Sequence, residues 1–178
     1  SPDGVMDEGL NSTVLGLQGI PAQAEEIMVA RDIKLAELTN GRLHLAHLST
    51  SGSVQLVREA KKKGLKITAE VTPHHLALTS EAVKSYDPNT RTNPPLRSPL
   101  DIEALIKGLE DGTIDAIASD HAPHSLEEKD VEYGLAPSGI VGLETAVGLI
   151  LTILYHQRKF KLIEIIKKFT TGPAAILG

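Results

Sequence analysis

The stretch GTIDAIASDHAPH, residues 112–124, decides how this chain is read. Residues 114–118 are a short apolar run of the kind that forms a strand. Asp120 and His121 follow directly, so a carboxylate and an imidazole stand where the run ends. The same order occurs twice upstream. Residues 43–46 lead into His47, with His44 three residues earlier, within the run, in HLAH. Ile67, Ala69 and Val71 alternate with Thr68 and Glu70 and lead into His74 and His75 of TPHH. Six of the seven histidines fall in these three clusters, the third being His121 and His124.

Helical patterns separate the runs. Residues 53–63 put Val54, Val57 and Ala60 on one side and end at Gly64. Ser98-Pro99-Leu100-Asp101 is a helix start, with Ser98 as cap, Pro99 first inside and Asp101 near the positive dipole end. Ile102, Leu105, Ile106 and Leu109 give that helix its buried face. Upstream, Pro21 opens a helix that Asn40-Gly41 closes, with Ala24, Ile27, Met28, Leu35 and Leu38 expected on the buried face. Further helices are expected over 142–155 and 162–169, and Pro173 begins a short last one. Residues 1–20 read as loop. Residues 72–97 and 120–139 read as long connections, which in a compact domain tend to carry function.

Strands alternating with helices mean right-handed βαβ units and a parallel α/β sheet. Three strands cannot close on themselves. They make about three-eighths of a (β/α)8 barrel, whose full size is ~250 residues. The chain has 178, begins Ser1-Pro2 and stops at Leu177-Gly178 after a helical pattern. A portion of a longer protein is therefore expected.

Composition narrows the chemistry. Net charge is −5 and no basic block stands apart from the helices, which disfavours a nucleic-acid partner. There is no cysteine, so disulfides and thiolate metal sites are excluded, and any metal must be held by histidine and carboxylate. The lack of cysteine fits a cytoplasmic protein. The longest apolar stretch, 140–155, contains Glu144 and is too short to span a bilayer. No signal peptide is visible.

Active sites of (β/α)8 barrels lie at the C-terminal strand ends. His47 and Asp120 follow strands directly and are the preferred metal ligands, with zinc the metal such donors suit. Alternation places His44 on the face opposite His47, as packing or support. Adjacent His74 and His75 point to opposite faces, so at most one turns inward. Asn93-Pro94-Pro95-Leu96-Arg97 is a stiff segment in which Asn93 can offer an amide to a polar ring, and Arg97 is a carboxylate partner or a structural ion pair. Ala136-Pro137-Ser138-Gly139 can supply backbone groups to a ligand. Lys61-Lys62-Lys63 reads as a solvated helix end.

HLAHLST (44–50), EVTPHHL (70–76), NPPLR (93–97), GTIDAIASDHAPH (112–124) and GLET (142–145), in this order, resemble the type I dihydroorotases of the amidohydrolase superfamily. The resemblance implies a distorted (β/α)8 barrel, of which residues 1–178 would supply about strands 6 to 8. The N-terminal part of the barrel and a small β domain would lie outside this chain. It implies one or two zinc ions and the interconversion of N-carbamoyl-L-aspartate and L-dihydroorotate in pyrimidine biosynthesis. His47 then matches the zinc ligand after strand 6, and Asp120 the strand-8 aspartate that binds zinc and shuttles the proton. Asn93 and His124 match substrate contacts, His124 toward the carboxylate. Pro137 and Gly139 match a backbone contact to the ring. His74 and His75 match no usual ligand. Where the family often has an aromatic residue before Gly139, this chain has Ser138. The remaining ligands would precede Ser1, so the chain by itself is expected to bind zinc weakly and to be inactive. The resemblance also implies a homodimer and, in some members, association with aspartate carbamoyltransferase. A hydantoinase, dihydropyrimidinase or allantoinase, or a non-catalytic scaffold partner of that transferase, are the alternative readings.

Overall fold

Three parallel strands flanked by helices form the centre of the chain, in a computed structural model that describes residues 3–178. Ser1 and Pro2, where the expected loop and the expected cut begin, lie outside the described residues. The rest of the N-terminal segment, expected as loop, holds β1 (Met6–Asp7), α1 (Leu10–Leu15) and β2 (Gly19–Ile20), with β1 and β2 paired in parallel. Strands of two residues carry no periodicity, so the sequence pattern misses them. Glycine is required at position 19, because a Cβ there would lie 2.6 Å from the Glu8 Cα. Helix α2 (Ala22–Thr39) follows, with Pro21 at its start and Asn40 in the left-handed conformation at its end.

The main sheet contains β3 (Leu43–Leu45) and β4 (Ile67–Val71), joined through α3 (Ser51–Lys62). The connection out of β4 holds a short helix, α4 (Pro73–Ala77), and then α5 (Pro99–Glu110), which leads into β5 (Ala116–Ile117). The strand order is β3-β4-β5, all parallel. Asp115 and Ala118 extend the β5 ladder by donating N–H to the carbonyls of Ala69 and Val71. Helix α5 carries the expected cap: Ser98 Oγ accepts from Asp101 N, and the Asp101 carboxylate accepts from Ser98 N. Beyond β5 come α6 (Leu126–Lys129), α7 (Ala146–Ile150), a more loosely wound continuation over Leu151–Gln157, α8 (Leu162–Phe169) and α9 (Thr171–Leu177).

The sheet has two unlike faces. Ile67, Ala69 and Val71 are buried against α3 and α5 and form the core with Val54, Val57 and Leu105. The opposite face carries His44, Thr68 and Glu70, which are partly open. A parallel sheet covered by apolar packing on both faces reads as an unbroken apolar run. The alternation in β4 instead marks one face kept for polar chemistry.

Three expectations are corrected. Helix α2 buries Val29, Ile33 and Ala36, whereas Ile27, Met28, Leu35 and Leu38 face outward, Leu38 being 82% exposed. The helix is apolar on both sides, and periodicity alone does not choose between two overlapping stripes. The helix expected over 142–155 begins at Ala146 instead, and the N–H groups of Gly142 and Leu143 ahead of it both turn to His121 Nδ1, each at 3.2 Å. Lys61 is not merely solvated. It donates to both oxygens of Asp115 at 2.8 and 2.6 Å and to the Gly112 carbonyl, fastening the end of α3 to the sheet.

Candidate active site

The rim begins where β3 stops. His47 has φ 54°, a left-handed backbone that histidine visits more readily than most residues. The turn undoes the strand alternation and brings His47 back to the side of His44, against the expectation of opposite faces. Both imidazoles meet Glu70 of β4. His44 Nε2 donates to Glu70 Oε2 at 3.2 Å, while its Nδ1 meets Thr68 Oγ1 at 2.8 Å. His47 Nδ1 lies 2.9 Å from Glu70 Oε1, an ion-pair distance although the direction is oblique for a hydrogen bond. Glu70 was not singled out in the sequence; its signal was its parity with Thr68 and His44 on the polar side of the sheet.

Asp120 repeats the device at the end of β5. Its φ is 47°, and its Oδ1 lies 3.5 Å from His47 Nε2. Aspartate tolerates this region for its short polar side chain, and such conformations gather at functional sites. The two residues preferred as ligands therefore meet at one rim. The contact with Glu70 raises the pKa of His47, against the pull of burial, with Asp120 adding to the rise. Burial would raise the pKa of Glu70, but the bonds from His47 and His44 bring it below the usual glutamate value.

This pair fits a zinc ion. Glu70 stands beside Nδ1, which favours the proton of neutral His47 there and leaves the Nε2 lone pair toward Asp120. Zinc bonds of about 2.1 Å in tetrahedral geometry separate two donor atoms by roughly 3.4 Å, close to the 3.5 Å seen. Among the described residues no group of three or more such side chains is arranged to hold a metal ion, so the described residues offer two.

His74 and His75 lie in α4, capped by Thr72, and both are buried. His75 Nε2 donates to the Pro94 carbonyl at 3.0 Å, so Nδ1 accepts from the Thr72 hydroxyl at 2.6 Å. Thr92 Oγ1 donates to the same carbonyl at 2.8 Å. The second histidine cluster is thus an anchor for the segment that bears Asn93, which itself is exposed. His74 is 5% exposed, packs against His75 with ring centroids 4.5 Å apart and planes tilted by 47°, and its Nε2 has no partner among the described residues. Burial lowers the His75 pKa to about 4. The unfolded chain takes up this proton near pH 6.5 and the folded chain does not, so stability falls as pH drops from about 6.5 toward 4 and is unaffected above. The expected loss near pH 4 from this residue is about 3 kcal/mol. Urea midpoints across that range, for parent and His75→Asn, check it; an equally steep decline in the variant rejects His75 as a source.

Arg97 is a structural ion pair, as one of its two sequence readings held. It is 3% exposed and donates to Asp7 Oδ1 at 2.7 Å, to the Ile20 carbonyl at 2.6 Å and to Ser49 Oγ at 3.1 Å. Glu25 of α2 lies 4.0 Å from it and accepts from the backbone N–H and the hydroxyl of both Ser49 and Thr50. This hub ties β1, β2, α2 and the loop after His47 to the Asn93 segment.

The third cluster divides its work. His121 Nδ1 caps the approach to α7, and Ala122 N donates to the Ile140 carbonyl. His124 Nε2 donates to the Ser138 carbonyl at 3.1 Å, and its Nδ1 lies 3.6 Å from Glu128. Gly139 N donates to the Arg91 carbonyl at 2.9 Å, so the loop with Pro137 and Gly139 is joined to the Asn93 segment. The carbonyls of Pro137 and Gly139 accept from Lys129, a residue the sequence reading passed over. His124, Pro137, Gly139 and Arg91, two residues ahead of Asn93, thus form one hydrogen-bonded group, with His124 four positions after Asp120.

Parallel β/α units with a histidine and an aspartate meeting at the carboxyl rim define a part of an amidohydrolase-type barrel. Comparison with solved structures agrees: L-hydantoinase (dihydropyrimidinase) from Arthrobacter aurescens matches with TM-score 0.81 at 28% identity, over 86% of this chain and 35% of that one. Higher identity is found with proteins named dihydroorotase, and the similarity runs along the entire chain. Proteins named dihydroorotase from Pelotomaculum thermopropionicum and from Thermoanaerobacter sp. align over all 178 residues at 61% and 58% identity. The chain spans 42% and 41% of their lengths. No family model matches. Among the described residues no helix is long and apolar enough to cross a membrane.

Proposed function

We propose that this chain forms about strands 6 to 8 of the distorted (β/α)8 barrel of a zinc-dependent dihydroorotase. That enzyme interconverts N-carbamoyl-L-aspartate and L-dihydroorotate in de novo pyrimidine biosynthesis. The observation that carries the reading is the meeting of His47 Nε2 and Asp120 Oδ1 at 3.5 Å, in a chain aligned throughout with proteins named dihydroorotase. His47 and Asp120 would hold one or two zinc ions together with ligands from outside this chain. Zinc, when bound, supplies Lewis-acid polarisation of a carbonyl and water acidic enough to act as nucleophile near neutral pH.

The chain's own residues do the rest. The Asp120 carboxylate takes the proton released as water adds to the ring amide carbon and returns it to the departing ring nitrogen. Ring closure runs the same path backwards. Glu70 holds His47 in one orientation, and Asn93, His124 and the loop of Pro137 and Gly139 orient the ring and its carboxylate. The small β domain, a cytoplasmic homodimer and association with aspartate carbamoyltransferase belong to the same proposal and rest on the family resemblance.

The test is turnover of L-dihydroorotate by a protein that carries this chain at the full length of its relatives. Hydrolysis of dihydroorotate, with none of hydantoin or dihydrouracil, is the expected result, since the ring carboxylate is what His124 would recognise. The opposite preference assigns a hydantoinase instead. The 178-residue chain alone is expected to bind zinc weakly and to give no turnover, and measurable turnover by it refutes that point. In the full-length protein, Glu70→Gln is expected to weaken zinc binding 10- to 100-fold, roughly the cost of losing such a supporting carboxylate. Competition with a chelator measures it, and unchanged affinity removes Glu70 from the metal's support.

A further inference from the structure

Lys129 is 7% exposed, and among the described residues it makes no ion pair, with Asp87 the acidic group that acts on it. Its ammonium has three N–H donors, and three carbonyls receive them: Pro88 at 2.9 Å, Pro137 at 2.9 Å and Gly139 at 2.8 Å. A buried cation whose acidic neighbour Asp87 acts on it only from beyond ion-pair contact is costly, and an apolar residue of similar volume is often as stable or more so. Stapling alone is a weak reason for a lysine here. What the ammonium adds is direction, because three backbone dipoles must converge on one point.

The neighbouring bonds show what that direction fixes. Four successive carbonyls, residues 137 to 140, are bound by the 122–129 segment: Pro137 and Gly139 by Lys129, Ser138 by His124 and Ile140 by Ala122 N. Gly139 has φ 151°, and a Cβ there would lie 2.6 Å from the Ala122 carbonyl and 2.9 Å from His124 Nε2. The loop is pressed onto the histidine with no slack, and its other edge is held by the Arg91 carbonyl.

We propose that Lys129 is a positioning residue for substrate binding: by gathering the Pro88, Pro137 and Gly139 carbonyls it sets the loop and, through Ser138, the ring of His124. This rests on the dihydroorotase reading for the identity of the substrate, but not for the tether itself. A loop that sets ground-state and transition-state contacts alike changes KM and leaves kcat nearly alone.

The experiment uses the full-length protein and Lys129→Met, which keeps the stem and removes the three donors. Turnover of L-dihydroorotate by the parent establishes the substrate. The variant should then show KM raised by about tenfold with kcat within about twofold. Hydrogen exchange read by mass spectrometry should quicken about tenfold or more in peptides covering 120–124 and 136–141, and stay unchanged in peptides covering β4. A fall in kcat at unchanged KM, or unchanged exchange at the loop, overturns the proposal. Should the parent not act on dihydroorotate, the functional reading fails, while the exchange data still decide the tether. Should the variant not fold, the parent decides: with ¹⁵N-labelled lysine, one ammonium signal in slow exchange with water and lost in Lys129→Arg is expected. Fast exchange of every lysine ammonium overturns the assignment.

Discussion

Asp120→Ala in the full-length protein is expected to lower kcat by about 10²- to 10⁴-fold, the usual range for loss of a positioned acid–base group. Asp120 is turned toward His47 by a left-handed backbone at the end of β5, and its oxygen lies 3.5 Å from the imidazole. Among the described residues no other carboxylate shares that position: Glu70 is occupied by two histidines. Asp120→Asn separates the roles further, since it keeps the shape and hydrogen-bonding reach while losing the basic oxygen. It should be about as slow as the alanine variant at every pH. Initial rates of dihydroorotate hydrolysis measure both, and a near-normal kcat in either removes Asp120 from the proton's path.

Arg97→Ala is expected to cost about 3–5 kcal/mol of stability, the scale on which removing one member of a buried ion pair leaves an uncompensated charge. Arg97 is 3% exposed, and Asp7 and Glu25 flank it from β1 and α2. Burial already pushes the Asp7 carboxyl above its ordinary pKa, with Arg97 holding it down. Without Arg97 the folded state gains affinity for a proton at Asp7 that the unfolded state lacks. Stability of the variant then improves, relative to the parent, as pH falls through that raised pKa. Denaturant midpoints from pH 8 to pH 5 should show the gap narrowing toward the acid end, and a constant gap counts against Asp7 as its source. Arg97→Lys should not restore the parent, because one ammonium cannot reproduce bonds to Asp7, Ile20 and Ser49 made by a planar fork.

The parts of the fold that were legible are those written in adjacent residues. The alternation of β4 and the reciprocal cap of Ser98 and Asp101 need only neighbours a few positions apart, and both stand as read. His47 and Asp120 were legible as strand-end residues. The parity argument for His44 failed for a local reason: one left-handed residue cancels the alternation that the argument assumes. The face of α2 failed for a distant one, since its two apolar stripes are equal until α3 packs against one of them.

By itself the sequence determined the order of parallel units, the ends of α2, the capped start of α5, and which histidine and which aspartate stand at strand ends. Those follow from backbone geometry and short-range patterning. Only the tertiary structure decided what each polar group touches: that Glu70 serves two imidazoles, that His75 anchors the Pro94 carbonyl, that Arg97 reaches Asp7 across 90 positions, and that Lys129 gathers two loops. A buried polar group must be paired, but the pairing is a fact of three-dimensional proximity, and side chains far apart along the chain carry no local mark of whom they will meet.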